Sequence, residues 1–249
     1  MRTDGSVRML NICDLTKSYA SDKPPAVDAL DMQVKDGEIF GFLGPNGAGK
    51  TTTIKMITGI IAPDRGSVEI DGVDMRKDPV ACKMKFGYVP DNPDIYERLT
   101  GMEYLEFLGD VYMVTADERK KRIRQYTEMF GISSVLGDQI KSYSHGMRQK
   151  LVITGALLHN PRLWILDEPM VGLDPMAAHL LKEEMRAHCR QGNTVFFSTH
   201  VLEVAEKLCD RVGIISRGKL AAVGTVADLK AQAEQKGSSL EDIFLRIVT

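Results

Sequence analysis

The sequence has few cysteines and no excess of charge of one sign. Four cysteines occur in 249 residues, and their spacing shows neither a CxxC pair nor another metal-ligand pattern. This predicts buried free thiols in a reducing compartment rather than a disulfide framework. The formal net charge of −2 gives no general electrostatic reason to bind nucleic acid or an anionic membrane face.

Long apolar runs and a targeting segment are also lacking. No stretch approaches the ~20 apolar residues of a membrane-spanning helix, and the start, MRTDGSVRMLNICDL, lacks the apolar centre and cleavage site of a signal peptide. Internal repeats and low-complexity segments do not occur. The composition, 43% hydrophobic and 27% charged, is typical of a globular chain with ample core. We therefore expect any membrane role to come through a partner protein.

The order of apolar patterns predicts an α/β chain. The first third has short apolar runs bounded by Asp and Gly, typical of strands, and an Asp-Gly pair that indicates a hairpin. Residues from about 100 to 140 are charged and amphipathic at helical spacing, so we interpret about 95–150 as a helical insert. Helices and apolar strands then alternate, which favours a largely parallel sheet covered by helices. Residues 231–249 predict a polar hinge and a short amphipathic helix.

A phosphate-binding loop is the most specific motif. GPNGAGKT matches G-x-x-x-x-G-K-[ST] without a gap, between an apolar strand and a helix-like segment. Glycines permit a backbone nest whose N–H groups face an anion, and the helix N-terminus adds partial positive charge. Lys50 is expected to reach the β- and γ-phosphates of a nucleoside triphosphate, and the Thr51 hydroxyl to ligate Mg²⁺. The candidate nucleotide-binding residues of this loop are Gly44, Pro45, Asn46, Gly47, Ala48, Gly49, Lys50, Thr51 and Thr52.

Two further polar positions follow apolar strands. LWIL directly precedes Asp167 and Glu168, and a buried strand delivers both carboxylates to the carboxyl edge of the sheet, where ligands bind. Asp167 suits the Mg²⁺ shell through water, and Glu168 is placed to act as general base on the attacking water. NTVFFSTH ends at His200, where a lone histidine is usually structural. The strand order could also bring this imidazole to the γ-phosphate.

Together these segments resemble the nucleotide-binding subunit of the ATP-binding cassette (ABC) family, over almost the whole chain. GPNGAGKT is similar to its Walker A loop, LWILDE to its Walker B strand, and VGLD to its D-loop, which ends at Asp174. His200 falls at the switch histidine of the family. The resemblance implies that Glu168 and His200 are catalytic and that Asp174 belongs to a nucleotide site.

The stretch YSHGMRQK is similar to the family signature LSGGQ, with Ser144 and Gly146 matching. Tyr143, His145 and Met147 depart from the commonest form. In the resembled family, the signature closes over the ATP that a facing copy holds. The resemblance therefore implies that Ser144 and Gly146 contact nucleotide in the facing chain, and that two chains enclose two ATP molecules.

Two assignments that follow from the resemblance have plain alternatives. Tyr19 matches the aromatic residue that stacks on adenine, but it could equally be a half-buried strand residue. Asp91 stands where the family commonly has a glutamine that ligates Mg²⁺. A carboxylate is a competent ligand for that hard cation, and an exposed aspartate in a Pro-rich turn explains the position as well.

The resemblance implies a P-loop NTPase core with a parallel sheet, an N-terminal antiparallel β-subdomain and the helical insert. It implies one ABC ATPase domain over residues 1–230 and a C-terminal helical tail over residues 231–249. The expected activity is hydrolysis of ATP with Mg²⁺. The expected partners are a second copy of the chain, or a homologous ATPase, and a transmembrane permease, which would hold the subunit on the cytoplasmic face of the cell membrane.

The form of the signature and the tail SSLEDIFLRIV resemble exporter-type bacterial subunits. The alternative is a soluble ATPase of the same family that acts in DNA maintenance, where the same head occurs, or in another role outside transport. Such heads are split by very long coiled coils, whereas about ninety residues separate Gly49 from Tyr143, and no basic stripe is evident. We therefore expect no nucleic-acid partner.

Overall fold

Two β-sheets and the helices around them make up the fold, in a computed structural model that describes residues 8–232 and 240–248. The strands are β1 (Arg8–Lys17), β2 (Val27–Lys35), β3 (Ile39–Leu43), β4 (Arg65–Ile70), β5 (Val73–Asp74), β6 (Phe86–Val89), β7 (Leu163–Leu166), β8 (Thr194–Thr199), β9 (Arg211–Ser216) and β10 (Lys219–Gly224). The helices are α1 (Lys50–Ile57), α2 (Pro79–Lys83), α3 (Gly101–Val111), α4 (Ala116–Met129), α5 (His145–Leu157), α6 (Pro175–Arg190), α7 (Leu202–Leu208), α8 (Val226–Gln232) and α9 (Leu240–Val248).

The smaller sheet is antiparallel, with strand order β2-β1-β4-β5. Side chains of β2 alternate between buried and exposed, as expected when one face of a sheet packs on a core. Asp71 and Gly72 form the tight turn between β4 and β5 and have φ angles of 46° and 77°. A two-residue turn with positive φ at both positions matches the twist of the flanking strands.

The larger sheet has the order β10-β9-β3-β8-β7-β6, and its strands are parallel except for β10 at one edge. Every residue of β3, β7 and β8 is buried, which is typical of parallel strands covered on both faces. Their carboxyl ends meet at one edge, where the chain continues into the phosphate loop, the acidic pair and His200.

Separate clusters of buried apolar side chains form the cores between the sheets and the helices. Phe40 and Phe196 stack with ring centroids 5.8 Å apart, in a core that also takes residues from α1 and the smaller sheet. The helical insert has its own core between α3, α4 and α5. Helix α3 begins with a capping box, in which the Thr100 hydroxyl accepts from the Glu103 N–H and the Glu103 carboxylate accepts from the Thr100 N–H.

The predicted strands, the hairpin and the alternation of helices with parallel strands are confirmed. The sequence patterns did not reveal α2, β10 or α8. The predicted polar hinge lies largely outside the described residues, whereas α9 forms the expected short helix and buries Leu240 and Ile243. In the part of the chain that the structure describes, no helix is long and apolar enough to cross a membrane. The division at residue 230 stays a prediction.

Close packing between β6 and α5 generates a stability prediction. A Cβ atom added at Gly87 would lie 2.3 Å from the carbonyl oxygen of Ala156, so Gly87→Ala must push the helix from the sheet. We expect a loss of about 1–3 kcal/mol in the free energy of unfolding. Gly137→Ala is the control, because a Cβ there meets nothing within 4 Å. Urea unfolding of both variants checks this, and equal midpoints would contradict it.

Candidate active site

The phosphate loop connects β3 to α1 and approaches neighbouring backbone too closely for side chains. Gly49 has φ 111°, and a Cβ atom there would lie 2.4 Å from the Ala26 carbonyl oxygen. A Cβ atom on Gly44 would lie 2.6 Å from the Ile215 carbonyl oxygen. Glycine is therefore required at both positions. The loop leaves an open backbone cradle at the N-terminus of α1.

Lys50 is buried at the base of this cradle, with 6% of its surface exposed. Its Nζ atom donates hydrogen bonds to the Gly44 carbonyl at 2.7 Å and the Pro45 carbonyl at 3.3 Å. It also lies 3.4 Å from Glu168 Oε1. A buried ammonium group thus joins the loop to the acidic pair, and its charge is compensated by a carboxylate.

Glu168 occupies the centre of a chain of three ionisable side chains. Its Oε1 faces Lys50, and its Oε2 lies 3.0 Å from His200 Nδ1. The backbone of Glu168 has φ 47°, a left-handed conformation that is uncommon for a residue with a Cβ atom. Such strain is concentrated at functional sites. The structure therefore brings Lys50, Glu168 and His200 together at one sheet edge.

Asp167 is fully buried beside this chain. Its Oδ1 accepts a hydrogen bond of 2.5 Å from the Ser198 hydroxyl, and its Oδ2 has no protein partner. Burial raises the pKa of the Asp167 carboxyl above its ordinary value, although the Ser198 and Thr51 hydroxyls favour the ionised form. An unpartnered buried oxygen at a ligand edge requires an explanation, and a bound cation or its water would supply the missing partner.

Ser198 is a polar contact that the sequence patterns did not reveal. Strands β7 and β8 pair in parallel with Leu166 opposite Phe197, so Ser198 follows in register beside the acidic pair. Its Oγ contacts Asp167 and also accepts the Glu168 N–H at 2.9 Å. The only signal in the sequence is that a hydroxyl residue, Ser198, directly follows the apolar run of residues 195–197.

The cradle opens into a polar cleft of about 240 Å³. Its lining residues are Ala26, Asn46, Gly47, Gly49, Lys50, Thr51, Thr52, Asp91 and Glu168. Asp91 is an exposed loop residue that accepts a hydrogen bond from the Asn92 N–H, yet it lies on this cleft.

Tyr19 follows the end of β1 and is 65% exposed, with its hydroxyl 3.5 Å from the Thr52 hydroxyl. It is therefore not a half-buried strand residue.

The signature-like stretch lies elsewhere on the chain. Ser144 caps α5 by accepting the Met147 N–H at 3.3 Å, and neither Ser144 nor Gly146 lines the cleft. A Cβ atom on Gly146 would lie 2.8 Å from the Gly172 carbonyl oxygen, and one on Gly172 would lie 2.3 Å from the His145 ring. The signature and the D-loop of the same chain are thus in direct contact.

Asp174 has local partners in its own chain. It caps α6 by accepting the Ala177 N–H at 2.8 Å, and its other oxygen accepts from Lys150 Nζ at 2.8 Å. The Lys150 ammonium group and the Ala177 N–H hold the pKa of the exposed Asp174 carboxyl below its ordinary value. In this structure Asp174 is a helix cap that joins α6 to α5, at a distance from the cleft lining.

Comparisons with known proteins identify the class. The family model described as ABC transporter matches residues 27–171. The chain is 36% identical over 239 residues to the ABC-type transporter ATP-binding protein EcsA of Bacillus subtilis, which covers 96% of each protein. The chain belongs to the ABC transporter family of ATP-binding proteins.

Further relatives support the same family assignment. The linearmycin resistance ATP-binding protein LnrL of Bacillus subtilis is 40% identical over 221 residues, which cover 89% of this chain and 70% of that protein. A solved ATP binding subunit of an ABC transporter superposes with a TM-score of 0.92 at 34% identity, covering 96% of this chain and 99% of that one. The ADP- and phosphate-bound dimeric cassette MJ0796 shares the fold, with a TM-score of 0.79 at 24% identity. The predicted family, fold class and ATPase activity are confirmed.

The buried carboxylate of Asp167 and the helix-capping carboxylate of Asp174 should have opposite effects on stability at pH 7. The raised pKa of Asp167 means that its charge lowers stability above the ordinary value of 3.8. Asp167→Asn should therefore increase the free energy of unfolding at pH 7, and the gain should vanish as the pH falls toward 4. Asp174 has a lowered pKa, so Asp174→Asn should decrease stability at pH 7, and this loss should stay nearly constant until the pH falls below the ordinary value of 3.8.

Urea titrations of the nucleotide-free protein between pH 4 and pH 8 measure both differences. Asp174→Asn is the matched control, since it makes the same chemical change at a carboxylate with the opposite shift. A stability difference for Asp167→Asn that stays constant with pH would contradict the assignment of a raised pKa.

Proposed function

We propose that this chain binds and hydrolyses Mg-ATP as the nucleotide-binding subunit of a transporter whose membrane permease is a separate protein. The observation that carries the proposal is the chain of Lys50, Glu168 and His200 beside the phosphate cradle. It combines a phosphate-compensating cation with a carboxylate that is oriented by an imidazole. A structural ion pair would not need a glycine cradle beside it.

The cleft fits a nucleoside triphosphate at both ends. The N-terminus of α1 and the glycine-rich loop before it line the cleft and can offer backbone N–H groups to phosphate oxygens. Lys50 is held ready to contact the β- and γ-phosphates. At the other end the exposed Tyr19 ring, next to Thr52, offers a flat apolar surface on which adenine can stack.

The donor set also fits Mg²⁺. Thr51 supplies a hydroxyl oxygen, and Asp91 and Asp167 supply carboxylates, one of them with an unpartnered buried oxygen. Among the described residues no group of three His, Cys, Asp or Glu side chains could hold a metal. Mg²⁺ usually takes few protein ligands and completes its octahedral shell with water and substrate phosphates. The bound ion would neutralise charge on the phosphates.

We assign the base role to Glu168. Without nucleotide, Lys50 compensates the Glu168 carboxylate at 3.4 Å. When phosphate oxygens bind the Lys50 ammonium group, the Glu168 carboxylate no longer pairs with it and can polarise a water molecule. His200 keeps its contact with the other oxygen of Glu168. Lys50 then matters for binding, whereas Glu168 matters when water attacks.

We infer that two chains enclose two nucleotides. Ser144 and Gly146 form a helix N-terminus suited to an anion, but they do not line the cleft of their own chain. In a two-fold pair the signature of one chain can face the cleft of the other. The dimeric cassette MJ0796, bound to ADP and phosphate, has the same fold. The facing chain is a second copy or a homologous ATPase.

We propose that the permease docks at the entry of the helical insert and holds this subunit at the cytoplasmic face of the cell membrane. Tyr96 and Phe107 are exposed there and touch edge to face at 6.3 Å. Leu99, Met102 and Tyr104 instead pack with the insert core, so they offer little to a docking helix. The resistance function in the name of LnrL favours export.

Substitution of the two central residues tests the catalytic assignment. Lys50→Ala should reduce ATP affinity strongly, because the phosphate charge loses its buried partner. Glu168→Gln should retain binding and lower turnover by roughly 10²–10⁴-fold, the usual contribution of a general base. Nucleotide binding and steady-state hydrolysis are measured for both, with Glu97→Gln, outside the cleft, as a control. Wild-type turnover by Glu168→Gln would remove Glu168 as the base.

Mixing two defective proteins tests the shared sites. Lys50→Ala keeps its signature, and Gly146→Asp keeps its phosphate loop but places a carboxylate against the facing γ-phosphate. Neither homodimer has an intact composite site, whereas the mixed dimer has one. With Glu168→Gln added to both chains to stop hydrolysis, ATP should produce dimers only in the mixture, through linkage to nucleotide binding.

Light scattering with Mg-ATP, on each protein alone and on the mixture, measures this rescue. The Glu168→Gln protein with an unmodified signature is the positive control. Dimers of the Gly146→Asp protein alone, at the same ATP concentration as the control, would show that this stretch does not close a shared site.

A further inference from the structure

The Ser198 side chain connects the two acidic residues of the site through one hydroxyl group. Its Oγ donates to Asp167 Oδ1 at 2.5 Å and accepts from the Glu168 N–H at 2.9 Å. Ser198 has no exposed surface. Loss of its hydroxyl leaves the part-buried Glu168 N–H and the buried Asp167 Oδ1 without this partner.

The direction of this hydrogen-bond chain is fixed by its end groups. A backbone N–H can only donate, and a serine hydroxyl has one proton to give. The proton of Ser198 therefore points to Asp167, which must act as the acceptor. The chain runs from Glu168 through Ser198 to Asp167, where it holds Oδ1, while Oδ2 has no hydrogen-bond partner.

The other hydrogen bond acts on the backbone of Glu168. At φ 47° this residue adopts a conformation that costs free energy for a residue with a Cβ atom. Strain of this kind persists only where surrounding contacts hold it. The Ser198 oxygen is such a contact, because it binds the N–H of the strained residue itself. In this conformation the Glu168 side chain lies between Lys50 and His200.

We propose that Ser198 is a positioning residue for ATP hydrolysis, whose hydroxyl holds Glu168 in its left-handed conformation and orients the Asp167 carboxylate. Ser198 does not line the cleft, so it acts through these two residues and not on the nucleotide. This inference rests on the proposed role of Glu168 as the general base.

Ser198→Ala and Ser198→Cys test the inference. Alanine removes the hydroxyl, and cysteine keeps a side chain of similar shape but is a weak donor and acceptor. For both variants we expect kcat to fall roughly 10–100-fold, the effect of a displaced catalytic group, with a clearly smaller loss of ATP affinity through Asp167. Thr127→Ala is the control, because Thr127 is a buried hydroxyl that donates to the Ile123 carbonyl in the helical insert. It should leave kcat unchanged.

The measurements are steady-state hydrolysis and binding of a fluorescent ATP analogue, with Glu168→Gln in parallel. If one Ser198 variant does not fold, the other decides. Wild-type kcat, or equal losses in kcat and in nucleotide affinity, would overturn the positioning role. Loss of turnover in Glu168→Gln together with wild-type turnover in the Ser198 variants rejects this inference alone. Wild-type turnover in Glu168→Gln rejects the proposed base, and the inference fails with it.

Discussion

The parallel hydrogen bonding of β3, β8 and β7 is the constraint on which the site depends. Leu43 pairs with Thr199, and Leu166 pairs with Phe197, so three segments that are far apart in the chain end at one edge. The phosphate cradle, His200 and the acidic pair follow directly from these strand ends. A change of register by one residue would turn the polar side chains to the opposite face. Backbone pairing therefore determines where these polar side chains lie.

Most of the fold and part of the site follow from the sequence. A gapless phosphate-loop motif and apolar runs that end in Asp-Glu and in His predict both their elements and their meeting point, because strand ends of a parallel sheet share an edge. Contacts set by three-dimensional packing are not encoded in such patterns. The Lys150–Asp174 ion pair and the hydrogen bonds of Ser198 join elements whose relative placement no local spacing determines.

The helical insert is a second case in which the sequence pattern does not determine side-chain contacts. Its helices follow from amphipathic spacing, but periodicity alone does not tell which apolar residues of the entry stay exposed. Leu99 and Met102 pack inward, while Tyr96 remains 66% exposed. The sequence pattern is equally compatible with both outcomes, since a groove and a core use the same residue types. Only the packing of α3 against α5 distinguishes them.

The contact between His145 and Gly172 links two positions that are 27 apart in the chain. Gly172 has φ 78°, and the His145 ring occupies the space that its side chain would need. A side chain at 172 would therefore have to displace the His145 ring, and it would also be strained by the positive φ. Because His145 begins α5, a substitution in the turn at Gly172 would also disturb the start of that helix.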